Sequence, residues 1–111
     1  MKVIIAGGRE FNDYERLKQY MDFVLMNVNK DKLEIVSGGA RGADSLGEFY
    51  AEERGYLIKQ FIPDWEMAKY ADALVAFHDG KSKGTQHMID LAKKENLLVR
   101  VVNYKKEKGD V

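Results

Sequence analysis

The sequence predicts a doubly wound α/β fold. The expected core is a five-stranded parallel sheet in order 3-2-1-4-5, with helices on both faces, a three-layer, Rossmann-like arrangement. Three observations predict it. Short apolar, β-branched runs alternate with segments of helical periodicity from one end of the chain to the other. Those runs are continuous rather than alternating apolar and polar, the pattern of strands covered on both faces. Right-handed crossovers then leave few ways to order parallel strands, and the doubly wound order is one of them.

Each element has its own signal. Lys2–Ala6 reads as the first buried strand. Asn12 is placed to cap a helix, with Glu15 three residues on to complete a capping box. Tyr14, Leu17, Met21, Val24, Leu25 and Val28 follow at helical spacing. Leu33–Ser37 reads as the second strand. Ala43, Leu46, Gly47 and Tyr50 mark one face of a second helix, which Gly55 stops. Tyr56–Ile62 is the third strand, ended by Pro63. Asp64 then caps a short helix from Trp65 towards Ala71, with Trp65 and Tyr70 expected in the core or the site wall. Ala73–Phe77 is the fourth strand. Thr85 opens a helix with Met88, Ile89 and Ala92 inward, ending near Asn96, and Leu97–Val102 is the fifth strand. Residues 1–103 are expected to form one domain, followed by a charged tail over 104–111.

Composition narrows the function classes. The chain has no cysteine, which excludes disulfides, thiolate metal sites and a cysteine nucleophile. Lys and Arg number 18, as do Asp and Glu, so the formal net charge is zero, unlike the basic excess of proteins held on nucleic acid by phosphate contacts. No apolar run approaches membrane-spanning length, and the start of the chain lacks the features of a signal peptide. A cytoplasmic protein with a small-molecule partner is the expectation, with no membrane and no nucleic acid partner.

In an open parallel sheet the ligand lies beyond the carboxyl ends of the strands, at the point where the strand order reverses. Here that point falls between the first and fourth strands. The first strand leaves into Gly7-Gly8-Arg9-Glu10-Phe11, where bare backbone can approach a ligand and Arg9 can take a phosphate bidentately. The second leaves into Ser37-Gly38-Gly39-Ala40-Arg41-Gly42-Ala43-Asp44, a glycine-rich nest before a helix. It is neither a Walker A loop nor a G-x-G-x-x-G fingerprint. Asp44 there serves either the helix dipole or a ribose hydroxyl. The fourth leaves into His78-Asp79-Gly80-Lys81-Ser82-Lys83-Gly84-Thr85, where Gly84 and Thr85 are expected to offer amides and a hydroxyl at a helix start. The ligand-binding candidates are thus Gly7, Gly8, Arg9, Ser37, Gly38, Gly39, Arg41, Gly42, Asp44, His78, Gly84 and Thr85. Asp44, Asp79 and His78 are the candidates for any catalysis. The two histidines, His78 and His87, have no third partner at metal-ligand spacing, so no metal site and no cofactor are expected.

The first two glycine motifs, together with Ala71-Asp72-Ala73-Leu74-Val75-Ala76-Phe77, resemble in order those of the SLOG superfamily. Within it, the sequence is most similar to the cpYpsA-related, YspA-type proteins, over nearly the whole chain. The resemblance implies a Rossmann-like fold, recognition of nucleotides or nucleotide-derived molecules, and self-association as a homodimer or homotetramer. Its wider relatives include the lonely-guy phosphoribohydrolases and a DNA-processing protein that binds single strands. Two departures bear on activity. Lonely-guy enzymes carry Pro-Gly-Gly-x-Gly-Thr-x-x-Glu at the fourth strand exit, and the position of that Glu is Met88 here. The Gly-Pro-x-Arg-Asn segment usual before the fourth strand is replaced by Pro63-Asp64-Trp65-Glu66-Met67-Ala68-Lys69-Tyr70.

A non-catalytic domain that senses or sequesters a nucleotide-derived ligand is the first expectation. An N-glycosidase or hydrolase using Asp44 or Asp79 is the alternative, and single-stranded nucleic-acid binding the second.

Overall fold

A computed structural model of the chain describes residues 1–38, 42–60 and 63–104. The elements run β1 (Lys2–Gly7), α1 (Tyr14–Val24), β2 (Glu34–Ser37), α2 (Ala43–Arg54), β3 (Leu57–Gln60), α3 (Asp64–Tyr70), β4 (Ala73–His78), α4 (Lys83–Lys94) and β5 (Leu98–Asn103), with a short 3-10 turn at Lys30–Lys32. The sheet order is β3-β2-β1-β4-β5, and every pairing is parallel. This is the predicted doubly wound, Rossmann-like arrangement. No helix among the described residues is long and apolar enough to cross a membrane.

Strand periodicity sorts the core into two layers. Val3, Ile5, Ile35, Val75 and Phe77 point to one face and pack with Leu17, Met21, Tyr50 and Ala51 of α1 and α2. Ile4, Ala6, Val36, Leu74 and Ala76 point to the other, under Met67 and Ala68 of α3 and Met88, Ile89 and Ala92 of α4. The edges are less well covered. All of β3 is exposed, and α3 is only seven residues long, while Leu98 at the start of β5 is also open.

Four local expectations are corrected. Asp13, not Asn12, caps α1: its Oδ1 accepts from the Arg16 N–H at 3.1 Å, three residues on, as an N-cap requires. The helix ends at Val24, and the apolar Leu25 and Val28 close a turn instead. Trp65 is 55% exposed, because α3 turns Met67 and Ala68 inward and leaves Trp65 on its solvent side. Tyr70 is half-buried and donates to the Glu34 carboxylate. Tyr104, counted with the tail in the sequence, packs edge-on against Phe11 at 4.7 Å between ring centroids and donates its N–H to the His78 carbonyl. Residues 105–111 of that tail lie outside the described residues.

Helices α1 and α2 are joined by polar contacts, Tyr14 and Lys18 to Glu53 and a cluster centred on Asp22. Asp22 accepts from the Tyr50 hydroxyl at 2.7 Å and takes both Nε and Nη2 of Arg54, at 3.1 and 2.6 Å. The hydrogen-bonded Arg54 guanidinium, helped by the Tyr50 hydroxyl, holds the Asp22 carboxyl below the usual carboxylate range. A depressed carboxyl contributes stability that is complete above its unfolded value of about 4, and that is lost as pH falls through the folded value. Asp22→Asn removes this titration. In urea melts at several pH values, the variant should be less stable than the parent near neutrality. It should also lose less stability between about pH 4.5 and about pH 2.5, the window below the ordinary carboxylate value.

Candidate functional site

The site is built around the backbone of Gly8. Its N–H donates to the Phe77 carbonyl of β4 at 3.2 Å. Its carbonyl accepts from the Phe11 N–H at 3.2 Å and from the Ala43 N–H, the first residue of α2, at 3.3 Å. The β1 exit therefore holds the start of α2 on one side and the end of β4 on the other. Such approach leaves no room for side chains. A Cβ on Gly7 would lie 2.5 Å from the Phe77 carbonyl oxygen and 2.7 Å from the Ala43 Cβ. Gly42 has φ +78 and ψ −128, and a Cβ there would lie 2.1 Å from the Gly8 carbonyl oxygen.

Above this frame lies a cleft of about 850 Å³ at the carboxyl edge of the sheet. Its floor is apolar, made by Ala6 with Met67 of α3 and Met88 of α4. Its rim is polar and charged. Among the described residues the lining carries four carboxylates, Glu10, Asp44, Asp64 and Asp79, and one guanidinium, Arg9. The starts of α2 and α4 flank it through Asp44 and through Ser82, Gly84 and Thr85. A smaller groove of about 440 Å³ adjoins it, sharing Arg9 and Glu10 and adding Gly42 and Ser45.

The fold brings many of the sequence candidates together. Gly7, Gly8, Arg9, Asp44, Asp79, Gly84 and Thr85 all line the cleft. Gly38 borders it: a Cβ there would lie 3.1 Å from Asp44 Oδ2 and 3.3 Å from Met67 Cε. Gly42 faces the adjoining groove. Gly39 and Arg41 lie outside the described residues. Ser37 and His78 are buried, and neither is part of the cleft lining. The Ser37 hydroxyl donates to Glu48 Oε2 at 2.6 Å, alongside the Gln60 amide. His78 Nδ1 accepts from the Gly80 N–H at 3.2 Å, and Nε2 lies 3.2 Å from the Gln86 Oε1.

Several groups expected to face a ligand hold the loops instead. The Gly8 amide is spent on Phe77. Helix α4 starts at Lys83, two residues before the predicted Thr85, because Ser82 caps it. The Ser82 hydroxyl accepts from both the Thr85 N–H, at 3.3 Å, and the Thr85 hydroxyl, at 3.0 Å. Asp79 Oδ1 accepts from the Lys81 and Ser82 N–H groups, each at 2.8 Å, and so shapes the turn into α4. The amides that open into the first turn of α4 are those of Lys83 and Gly84, which have no intrahelical acceptor. That turn carries no acidic residue, whereas the first turn of α2 carries Asp44.

Glu10, Asp64, Met67 and Ser82 were missed as site residues by the sequence reading. Ser82 had a signal, a hydroxyl residue three before Thr85 in capping position. Tyr104 also reaches the frame. A Cβ on Gly8 would lie 2.6 Å from its hydroxyl oxygen, and that buried hydroxyl has no hydrogen-bond partner among the described residues. Burial, and then the negative charges of Asp79 and Glu10, push the phenol above its usual range.

Two glycines of this site should respond oppositely to alanine. Gly42→Ala meets backbone at a left-handed φ and should lower stability by about 2 kcal/mol or more. Gly84 lies in a helix with nothing within 4 Å of its added Cβ. Gly84→Ala should therefore raise stability by about 0.5–1 kcal/mol. Chemical denaturation of both variants measures the contrast.

No curated protein matches the chain. Residues 1–67 match the YAcAr family, described as the YspA, cpYpsA-related SLOG family. The match spans β1 to the first half of α3, and so includes Gly7–Glu10, Asp44, Asp64 and Met67 of the cleft. On this match, which covers more than half of its length, the chain belongs to the YspA, cpYpsA-related SLOG family.

Proposed function

We propose that this protein binds a nucleotide or nucleotide-derived phosphate ester in the cleft between the β1 and β4 exits, and holds it without cleaving it. The observation that carries this reading is the position and make-up of the cleft. It lies over the point where the strand order reverses, with an apolar floor for a flat ring and a polar rim for a sugar and phosphate. Family membership supports the same class of ligand. Arg9, on the rim, supplies a fixed positive charge of the geometry that suits phosphate. The Lys83 and Gly84 amides at the start of α4 add uncommitted donors.

Retention without cleavage follows from the floor. Breaking an N-glycosidic bond builds positive charge on the sugar ring, which a carboxylate must meet. Met88, at the position of the lonely-guy Glu, is 2% exposed and packs with Ile89 and Ala92 beneath the sheet. Asp79 is occupied in forming the α4 turn. We expect the protein to act in the cytoplasm, as its composition suggests, and to self-associate, as the family resemblance implies.

A thermal-shift screen with nucleoside 5′-mono- and diphosphates tests the reading. A ligand at about 100 times its Kd should stabilise the fold by about 2.7 kcal/mol. Arg9→Ala should weaken binding by about 10- to 100-fold, the loss of one charged hydrogen-bonding partner of roughly 1.5–3 kcal/mol. No shift with any phosphate ester would overturn the proposal.

Incubation with purine nucleoside monophosphates should release no free base. Release that disappears in Asp44→Asn would move the protein to the glycosidases.

A further inference from the structure

Three large apolar side chains stand open at one corner of the sheet, at the end opposite the cleft. Phe23 is 66% exposed, Met26 69% and Leu98 68%. The topology brings them to the same corner. Leu98 and Arg100 of β5 stand in register with Ala73 and Val75 of β4, and so share the sheet face that α1 and α2 cover. Among the described residues the helix that packs on β5 is α4, and it packs on the other face, against Val99. The α1 face of β5 is left bare at its start.

Helix α1 borders this bare strip. Arg16 Nη1 donates to the Tyr104 carbonyl just past β5 at 3.4 Å, and the Tyr20 ring lies edge-on to Phe77 of β4 at 6.1 Å. That flank of α1 therefore looks towards β4 and β5. Phe23 is seven residues after Arg16 and three after Tyr20, so it continues the same stripe. The stripe descends from the carboxyl end of β5 towards its amino end, where Leu98 opens the strand. Met26 follows in the turn after the helix.

The make-up of this flank suits a protein partner. Tyr, Phe, Met and Arg are the residues enriched at interface cores, and the flank carries Tyr20, Phe23, Met26 and Arg100 around Leu98. It is also self-complementary. Each copy offers a ridge, the Phe23 and Met26 side of α1, and beside it a recess over the start of β5. Each also offers an exposed cation, Arg100, and an exposed ring that can receive one, Phe23. A twofold axis needs such pairing of a surface with itself. The chain's own residues 105–111 fit the recess poorly, since five of the seven are charged and Val111 alone is apolar.

We infer that the α1–β5 flank docks a second copy of this chain, ridge into recess about a twofold axis. The inference goes beyond the nucleotide reading and does not depend on it. It gives the expected self-association a surface, and it leaves the cleft open in each copy. The flank is about 20 Å long, the length of β5, and about 20 Å wide, one helix diameter and two strand spacings. A footprint of about 400 Å² on each copy belongs to the weak, reversible class of interfaces that bury less than about 1,200 Å² in total. The dimer should accordingly form with a Kd of micromolar order.

Sedimentation velocity of the whole chain, from low micromolar to near-millimolar concentration, tests this. The parent should pass from monomer to dimer over that range. Phe23→Lys should weaken dimerisation by about 100-fold or more, because each dimer loses the anchor twice. Leu98→Lys, on a different element, should do the same, and both variants should melt as the parent monomer does because both side chains are exposed. Leu57→Lys, equally exposed on β3 at the far edge of the sheet, should leave the dimer intact. A parent that stays monomeric throughout would overturn both this surface and the expectation of self-association. A dimer kept by the Phe23 and Leu98 variants, or lost in the Leu57 variant alone, would overturn this surface and leave self-association standing. Monomeric variants that melt well below the parent monomer would point to cover by residues 105–111 instead, and would also overturn it.

Discussion

The backbone of one residue, Gly8, holds the site together. The Gly8 N–H is committed to Phe77 at the end of β4, and the Gly8 carbonyl to the first amide of α2. These contacts join the exits of β1, β2 and β4, three segments far apart in sequence, and they need backbone to touch backbone. That need explains the glycines more directly than ligand contact does. Gly7 is bare because Phe77 and Ala43 press on it, and Gly42 because the Gly8 carbonyl does. The phosphate-loop look of these stretches is thus in large part a packing requirement. The cleft is what remains above three exits drawn close together.

The same constraint divides labour between donors. With the Gly8 and Thr85 amides satisfied inside the frame, the cleft is bordered by charged rim side chains and by the opening turns of two helices. Those turns differ. Ser82 caps α4 and Asp79 fixes the approach to it, so the amides of Lys83 and Gly84 are held in place. Among the described residues no side chain caps α2, and Asp44 places a negative charge in its first turn. The cleft lining thus joins a buried carboxylate at the start of one helix to an acid-free first turn of another.

Sequence periodicity disclosed the sheet order because continuous apolar runs separated by helical patterns admit few parallel topologies. The inward face of α4 was equally legible, since Met88, Ile89 and Ala92 recur at helical spacing. The misreadings were local. Asn12 and Asp13 are both competent caps, and only the chain geometry chooses Asp13. Trp65 is expected in the core or the site wall, yet Met67 and Ala68 already cover that patch. At the site, the strand exits were found, but not the fate of their polar atoms. Whether Ser37 faces a ligand or Glu48 depends on α2 packing across β2, a contact eleven residues away in sequence. Whether His78 acts or supports depends likewise on Gly80 and Gln86 closing around its ring.

The cleft is assembled from two parts of the chain with different duties. The family-matched segment, residues 1–67, supplies the Gly8 frame together with Arg9 and Asp44 of the cleft lining. The β4–α4 unit, beyond that match, supplies Ser82, Gly84, Thr85 and Met88, the last at the position that a glutamate holds in the lonely-guy motif. Because Met88 belongs to the apolar layer beneath α4, a carboxylate at that point would be buried among Ile4, Leu74 and Ile89 unless the helix shifted towards solvent. Gaining catalysis on this frame thus takes more than one substitution, since a new carboxylate needs both polar surroundings and room. A binding role and an enzymatic one can share the β1–α2 frame and part company at the first turns of α4, which is where the chemistry of this sheet edge is decided.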